Sequence, residues 1–532
     1  MSAKIADDLL ALQRLYDWEK KAPTRVALTQ PMGGGVVHDF TWAQVADQTR
    51  RMAAHLQAQG WAPGSKVAIL SKNCAWWMMS DLAIWMAGYV SVPLYPTLAP
   101  ETIRQILTHS ESKALFVGKL DGWEGMKPGV PAGLPCISYP LSPVDAIQAY
   151  EGWDAICART EPLKGHPVRA ENDLATLIYT SGTTGLPKGV VLDRKPSADD
   201  PITTEYLLDV RSKRQSDRRS AYLLSMPMHH GSGPGQLWSA QRAGALTVLQ
   251  RRFAPEEALA LIAQHRLTHW TGVPTMYKRI AALPPEVVAG HDLGSIEQLT
   301  VGAAPVSADL KRWIIAHLGD CLHEGYGSTE TGMVTHMPPA MQHAKPGSSG
   351  LPYRHVRLEI RDAEGNVLPT GETGEIWAWT PANIRNYLNA PPLDGETLDA
   401  RGYFRTGDMG HLDADGYLWI SDRAKDMVIA GGVNIYPAEI EAALLTHPAL
   451  SDAAVIGIPD DEMGERVMAF CEPKPGHRVT EDELLAHCTE RLASYKRPRA
   501  IRIVGELPRN TVGKLLKREL RAPFWQHTDR KV

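Results

Sequence analysis

Between Lys66 and Leu94 the chain spells a short apolar run (KVAIL), a long apolar stretch that begins at Cys74, and a second short run (SVPL, Ser91 to Leu94). Strand, helix and strand in that order is the grammar of a parallel sheet covered by helices. The stretch from Cys74 to Val92 is interrupted by Ser80 and Asp81 and ends at Pro93. It therefore reads as a core helix running into a strand, with its tryptophans used for packing, and not as a membrane span. The grammar returns at Leu174 to Tyr179 and at Gln298 to Val301, two short apolar strands that lead into glycine-rich turns. A helix capped by Ser307 follows, with Leu310, Trp313, Ile314 and Leu318 on one face. The large N-terminal part is accordingly expected to be α/β.

The texture changes near Gly350 to short alternating strands with turn residues, which suits a small β-rich subdomain. It changes again after Asp422. Beyond that point come a helix opened by Pro437, a strand (AAVIGI), and a helix with a capping box at Thr480 and Glu483. Leu484, Leu485, Cys488 and Leu492 share one face of that last helix, so a separate α+β unit of about a hundred residues is expected. The segment Asp193 to Ser220, rich in both charge signs, reads as a solvated surface excursion.

Composition narrows the partners. A chain of 532 residues is too long for one core, and 44% hydrophobic with 22% charged residues is ordinary for a packed enzyme. The formal charge of -4 offers no general attraction to nucleic acid. The cysteines Cys74, Cys136, Cys157, Cys321, Cys471 and Cys488 form no CxxC pair and no zinc spacing. Free thiols in a reducing, cytoplasmic compartment are expected. Asp7, Asp8 and Glu19 within the apolar N-terminal stretch do not suit a signal peptide; a surface helix is the reading there.

The most specific feature is YTSGTTGLPKGV, Tyr179 to Val190, directly after an apolar strand. Three glycines, four Ser/Thr hydroxyls and one lysine crowd into those twelve positions. Glycines let successive backbone N–H groups turn toward one anion, the hydroxyls donate further hydrogen bonds, and Lys188 adds charge, so the loop is built for phosphate. A Walker loop would place Ser or Thr after the lysine, whereas Gly189 stands here, so this is not that kind of nucleotide site.

With this loop the sequence resembles the AMP-binding superfamily of adenylate-forming enzymes, in its acyl-CoA synthetase branch. Four more motifs follow in the family's order: GYGSTETG (Gly325 to Gly332), YFRTGD (Tyr403 to Asp408), DRAKD (Asp422 to Asp426) and PRNTVGK (Pro508 to Lys514). The resemblance implies two parallel-sheet α/β subdomains and a small β-rich subdomain in residues 1–422. A mobile α+β domain in 423–532, with a hinge near Lys425, completes the expected fold.

It also implies roles for single residues. Thr180, Ser181, Gly182, Thr183, Thr184, Gly185 and Lys188 would hold ATP phosphates. Glu330 would bind a Mg2+ bridging them, a task for which a hard carboxylate oxygen is suited. Thr329 would contact the α-phosphate. Tyr326, Gly327 and the backbone around Glu324 and Gly325 would flank one face of adenine, and Gly302, Ala303, Ala304 and Pro305 the other. Asp408 would accept from both ribose hydroxyls, and Arg423 would meet ribose or phosphate. Lys514 would stabilise charge on the α-phosphate as a carboxylate attacks and pyrophosphate leaves. Gly431 and Gly432 would let backbone approach the pantetheine of coenzyme A.

The segment SMPMHHGSGPG (Ser225 to Gly235) is similar to the family's motif beside the substrate carboxylate. It places His230 at the histidine position and His229 where an aromatic residue is usual; for His229 a satisfied interior polar group is expected. The segment after Val191 departs from the family pattern as well. A small-molecule acid, ATP and CoA are thus the expected partners, with no nucleic acid, no transmembrane segment, and a monomer or homodimer equally compatible. A fatty acid is the first expectation for the acyl group, and an aryl or steroid-like acid the second. An acyl-carrier protein as acceptor, and a nucleotide-binding regulator without catalysis, are the rival readings; the set Lys188, Glu330, Asp408 and Lys514 speaks against the latter.

Overall fold

The computed structural model describes residues 11–169, 174–181, 187–191, 220–304, 306–431, 433–460, 462–510 and 513–525. Lys66–Leu70 is a strand with the expected bounds, and it lies between Val90–Leu94 and Ala114–Val117 in a five-stranded, all-parallel sheet. The crossover helix is Ala75–Met86, and all twelve of its residues are buried. It packs on the helix Trp42–Gln57, whose capping box joins Thr41 and Gln44. That complete burial is why the sequence there has no polar face. The N-terminal helix Ala11–Lys21 is anchored more firmly than a surface helix would be, because Leu12, Leu15 and Tyr16 reach the same core.

A second sheet has nine strands. Its centre is six parallel strands in the spatial order Leu322–Ser328, Gln298–Gly302, His269–Gly272, Ala221–Leu224, Leu246–Leu249 and Val26–Gly33. Antiparallel strands close both flanks. The carboxyl ends of Gln298–Gly302 and Leu322–Ser328 carry the glycine-rich turns, the usual place for a ligand crevice in such sheets. Ser307 caps the helix Ala308–Leu318 as its sequence indicates, accepting a hydrogen bond from the Leu310 N–H, while Leu310, Ile314 and Leu318 are buried.

The small β-rich part is a four-stranded antiparallel sheet, Arg357–Arg361, Gly374–Trp379, Phe404–Leu412 and Leu418–Arg423. The C-terminal part has its own five-stranded sheet and its own core, in which Ile440, Leu444, Val455, Leu484 and Cys488 meet. Pro437 opens the helix Pro437–Leu445, and the Thr480–Glu483 capping box is formed. The strand expected at AAVIGI extends to Leu450–Asp460, because Gly464–Pro473 pairs along nearly its whole length. All six cysteines are free.

One expectation changes. The strand foreseen at Leu174 to Tyr179 is Leu177–Ser181, and it does not enter a parallel crossover; it turns back in an antiparallel hairpin with Pro187–Val191. A single parallel bridge from Ser91 to Thr176 ties this hairpin to the first sheet. No described helix is long and apolar enough to cross a membrane. The segment 193–219 lies outside the described residues.

Trp77 is fully buried in the crossover helix. Trp77→Ala is expected to destabilise the protein by about 3–5 kcal/mol, read as a lower urea midpoint.

Candidate active site

The hairpin sets Thr180 opposite Lys188 and Ser181 opposite Pro187. Its turn contains the expected residues Gly182, Thr183, Thr184 and Gly185, which lie outside the described residues, as does the side chain of Ser181. Leu388 N–H donates to Gly189 O at 2.8 Å and Tyr387 bridges Val190, so the segment 384–388 is laced to the hairpin. Ile384 N–H donates to Glu330 O at 3.0 Å, and this lacing brings Glu330 to the phosphate-loop side. Thr180 Oγ1 and Tyr387 Oη each stand 3.5 Å from Glu330 Oε1, and Lys188 Nζ lies 5.0 Å from the centre of the Tyr387 ring.

Glu330 and Thr329 sit in the turn between Leu322–Ser328 and Gly332–Met337. The turn is cross-braced: Thr331 N–H donates to Ser328 Oγ at 3.1 Å, the two hydroxyls are 3.0 Å apart, and Thr380 Oγ1 donates to Thr331 O at 2.6 Å. Among the described residues no group of three or more His, Cys, Asp or Glu could hold a metal ion unaided. A lone hard carboxylate fits a Mg2+ whose other ligands come from nucleotide phosphates and water.

On the other side of the crevice Gly302 and Gly325 are paired on adjacent parallel strands. A side chain on Gly302 would place its first carbon 2.7 Å from Gly325 O, so only glycine allows the approach. Ala303 follows with φ of +64°, a left-handed conformation unusual for alanine, and Ala304 continues the bend; Pro305 lies outside the described residues. Gly327 backs directly on Gly332 and likewise has no room for a side chain. Glu324 contributes its backbone alone, because its carboxylate is buried in an ion pair with Lys311, which also donates to Ser348 O at 2.9 Å. Burial outweighs Lys311 there and raises the carboxyl above its ordinary range.

Asp408 and Arg423 face each other across neighbouring strands. Arg423 Nε lies 2.8 Å from Asp408 Oδ1, and Tyr326 Oη donates to Asp408 Oδ2 at 2.6 Å. Burial and the neighbouring Asp408 push the Tyr326 hydroxyl far up, so it remains a donor. Each carboxylate oxygen of Asp408 keeps a second lone pair for a ligand hydroxyl.

Lys514 reaches this group from the C-terminal part. Its loop is a tight turn, with Asn510 N–H donating to Lys514 O and Lys514 N–H to Asn510 Oδ1, both at 2.9 Å. Gly513 has φ of +79° and is pressed so closely on the Thr275 hydroxyl that a side chain would overlap it. Next to this contact Asp452 takes Lys278 Nζ at 3.0 Å and Arg509 Nη2 at 2.6 Å, joining the two parts of the molecule. The Lys514 residue is exposed, yet desolvation of its ammonium and the positive Arg423 push it down to about 8, with Asp408 opposing. Burial and the charge of Lys514 in turn push the His230 imidazole down.

Lys425 is exposed in a turn whose carbonyl accepts from Arg521, while Arg521 also pairs with Asp426. Gly431 adopts φ of +57° and donates its N–H to Met463 O at 2.8 Å; Gly432 lies outside the described residues. The expectation for His229 fails. It is 2% exposed, and neither ring nitrogen has a hydrogen-bond partner. The reason is its surroundings: its ring rests on Tyr95, centroids 4.4 Å apart, where a hydrophobic residue would be more at home.

Tyr387, Lys278 and Thr275 belong to this arrangement and carry no signal in the sequence, being brought in by contacts far apart along the chain. Tyr95 had a signal of sorts, since it directly follows the first-sheet strand Val90–Leu94.

A hairpin from the glycine- and hydroxyl-rich segment, an acid–arginine–tyrosine cluster and a lysine from the C-terminal part thus gather near the turns that follow Gln298–Gly302 and Leu322–Ser328. The family described as AMP-binding enzyme matches residues 15–388, and the AMP-binding enzyme C-terminal domain matches residues 439–514. The chain belongs to this family of AMP-forming acid–thiol ligases. It is 35% identical over 502 residues to the fatty acid–acyl-carrier-protein ligase ScoC of Streptomyces coeruleorubidus, covering 93% of each chain. It is 34% identical to a feruloyl-CoA synthase of an Amycolatopsis species, covering 96% of this chain and 99% of that one. The ATP-bound structure of MatB from Rhodopseudomonas palustris superposes with a TM-score of 0.81 at 27% identity, over 98% of this chain and all of that one.

Gly513→Ala is expected to lift the lysine loop off Thr275. ATP–pyrophosphate exchange driven by the acid substrate should then fall about a hundredfold, the usual effect of a misplacement near 1 Å.

Proposed function

We propose that the protein joins an apolar carboxylic acid, a fatty acid in the first instance, to coenzyme A through an acyl-adenylate. The observation that carries this reading is the convergence of Lys514 on the Asp408–Arg423 pair and on His230, across the boundary between two domains. The turn residues from Ser181 to Gly185, with Thr180 and Lys188, hold the β- and γ-phosphates. The Gly302–Pro305 loop and the strand bearing Gly325 and Tyr326 enclose adenine, and Asp408 takes the ribose hydroxyls. Thr329 and Lys514 stand at the α-phosphate. A carboxylate oxygen of the substrate forms a bond to the α-phosphorus as the bond to the bridging oxygen of pyrophosphate breaks. Lys514 neutralises the oxyanion charge that grows there. A Mg2+ held by Glu330 would supply charge neutralisation on the leaving pyrophosphate.

The thiol of CoA then attacks the acyl carbon and AMP leaves. For that step the lysine must withdraw. We assign residues 1–422 and 423–532 to two domains that rotate about Lys425, bringing the loop of Gly431 and Gly432 to the pantetheine. Two features support this assignment: the separate core of the C-terminal part, and the hydrogen-bonded chain around Lys425 by which it follows the strand Leu418–Arg423. The acceptor reading leans on the feruloyl-CoA relative; the ScoC relative makes an acyl-carrier protein the comparison to include.

Pyrophosphate release with a panel of carboxylic acids, with and without CoA, tests the reading. Turnover with an acid and CoA, giving the acyl thioester and AMP, is the expected result. No release with any acid would overturn it. Lys514→Ala should lose roughly a hundredfold or more in adenylation while retaining thioester formation from preformed acyl-adenylate. The ammonium form of Lys514 is the active one and predominates below about pH 8 in the free enzyme. The value of kcat/KM for ATP should therefore decline as pH rises through that region, and Lys514→Arg should remove the decline.

A further inference from the structure

The helix Pro274–Ala281 of the large domain meets the C-terminal part at two points. Thr275 and Lys278 are three residues apart on it and so share one face. Thr275 bears on Gly513, and Lys278 Nζ reaches Asp452 Oδ1 at 3.0 Å. The first contact is one of shape, the second one of charge.

The charge contact continues into the loop of Lys514. Asp452 is buried, and its other oxygen, Oδ2, takes Arg509 Nη2 at 2.6 Å. The second amino group of that guanidinium, Nη1, donates to Gly513 O at 3.4 Å, and Lys514 is the next residue. The loop is closed on itself: Asn510 and Lys514 exchange hydrogen bonds of 2.9 Å each, and Arg509 pairs with Leu515 in an isolated bridge. Polar contacts therefore run from Lys278 through Asp452 and Arg509 to Gly513, ending one residue before the lysine proposed to act at the α-phosphate. Burial works against the charge of Asp452, yet Lys278 and Arg509 together hold its carboxyl below the ordinary range, so it is ionised at neutral pH. Of these links only the first crosses between the two domains. Asp452 and Arg509 move together with the C-terminal part, whereas Lys278 stays behind.

We propose that Lys278 is a positioning residue: by holding Asp452 it keeps the C-terminal domain turned so that Lys514 faces the cleft, and it thereby serves acyl-adenylate formation and not the thioester step. This inference rests on the two-step ligase reading and deepens it. The orientation that follows adenylation has to open the Lys278 link, so its strength counts toward one half-reaction only. Coupling between two sites commonly corresponds to a factor of about 5–150, and here a continuous chain of contacts carries it.

The test uses the full-length protein and measures the half-reactions separately: ATP–pyrophosphate exchange driven by the acid, and thioester formation from preformed acyl-adenylate and CoA. Lys278→Met, which keeps the length without the charge, should slow exchange about tenfold, and Lys278→Glu, which sets a carboxylate against the buried Asp452, about a hundredfold. Lys278→Arg, which keeps the charge, should restore exchange to within about threefold of the native rate, and all three variants should form thioester within about threefold of it. Because Lys278 acts through Lys514, adding Lys278→Met to Lys514→Ala should slow exchange by less than about threefold more. Equal losses in the two half-reactions, native exchange in Lys278→Glu, or losses that multiply in the double variant would overturn the inference and leave the ligase reading intact. No exchange by the native enzyme with any acid would overturn both.

Discussion

Gly513 lies against Thr275 with no space for a side chain between them, and through this one contact a cation from one domain enters a cleft built by the other. The backbone must be left-handed at that point, so glycine is required twice over, for conformation and for clearance. Around it the docking is light. Lys278, about a third exposed, crosses to Asp452, which is buried and also held by Arg509 on its own side. The arrangement is thus strict in geometry, and the proposed rotation of the C-terminal domain would have to undo this contact and remake it.

The cleft itself is electrostatically unfinished. Lys514 is destabilised as a cation by Arg423 and Lys425, and among the described residues Asp408 and Asp426 oppose them. A polyanion entering there would relieve the repulsion, in keeping with the nucleotide phosphates proposed to bind at this place. Glu330 is met instead by the hydroxyls of Thr180 and Tyr387, each 3.5 Å from its Oε1, neutral partners that suit its proposed part in holding a divalent ion.

Much of the fold was legible because its signals are local. Ser307, Pro437 and the Thr480–Glu483 box each satisfy backbone groups within one helical turn, and the helices begin where those residues stand. The five motifs are likewise local, and the structure gathers the Thr180–Lys188 hairpin strands, the Glu330 turn, the Asp408–Arg423 pair and the Lys514 loop around one region. What stayed hidden depends on partners remote in sequence. The hairpin direction of Leu177–Ser181 is fixed with Pro187–Val191 and segment 384–388, not by its own apolar residues. The inward turn of Glu324 needs Lys311 on a helix of its own, and the isolation of His229 needs Tyr95 from the other sheet.

The helix Ala75–Met86 shares its core with Leu224, Met228, Leu237 and Leu249, and Asn73 at its start is bound to the loop of Met226 and Met228. During synthesis this stretch leaves the ribosome well before the residues that cover it have been made. By then Phe40, Trp42, Val45 and Met52 of the same core are already at hand, and the share from Leu224, Met228, Leu237 and Leu249 is still to come. The first sheet can begin to close on its own helices, and its last face waits for the second.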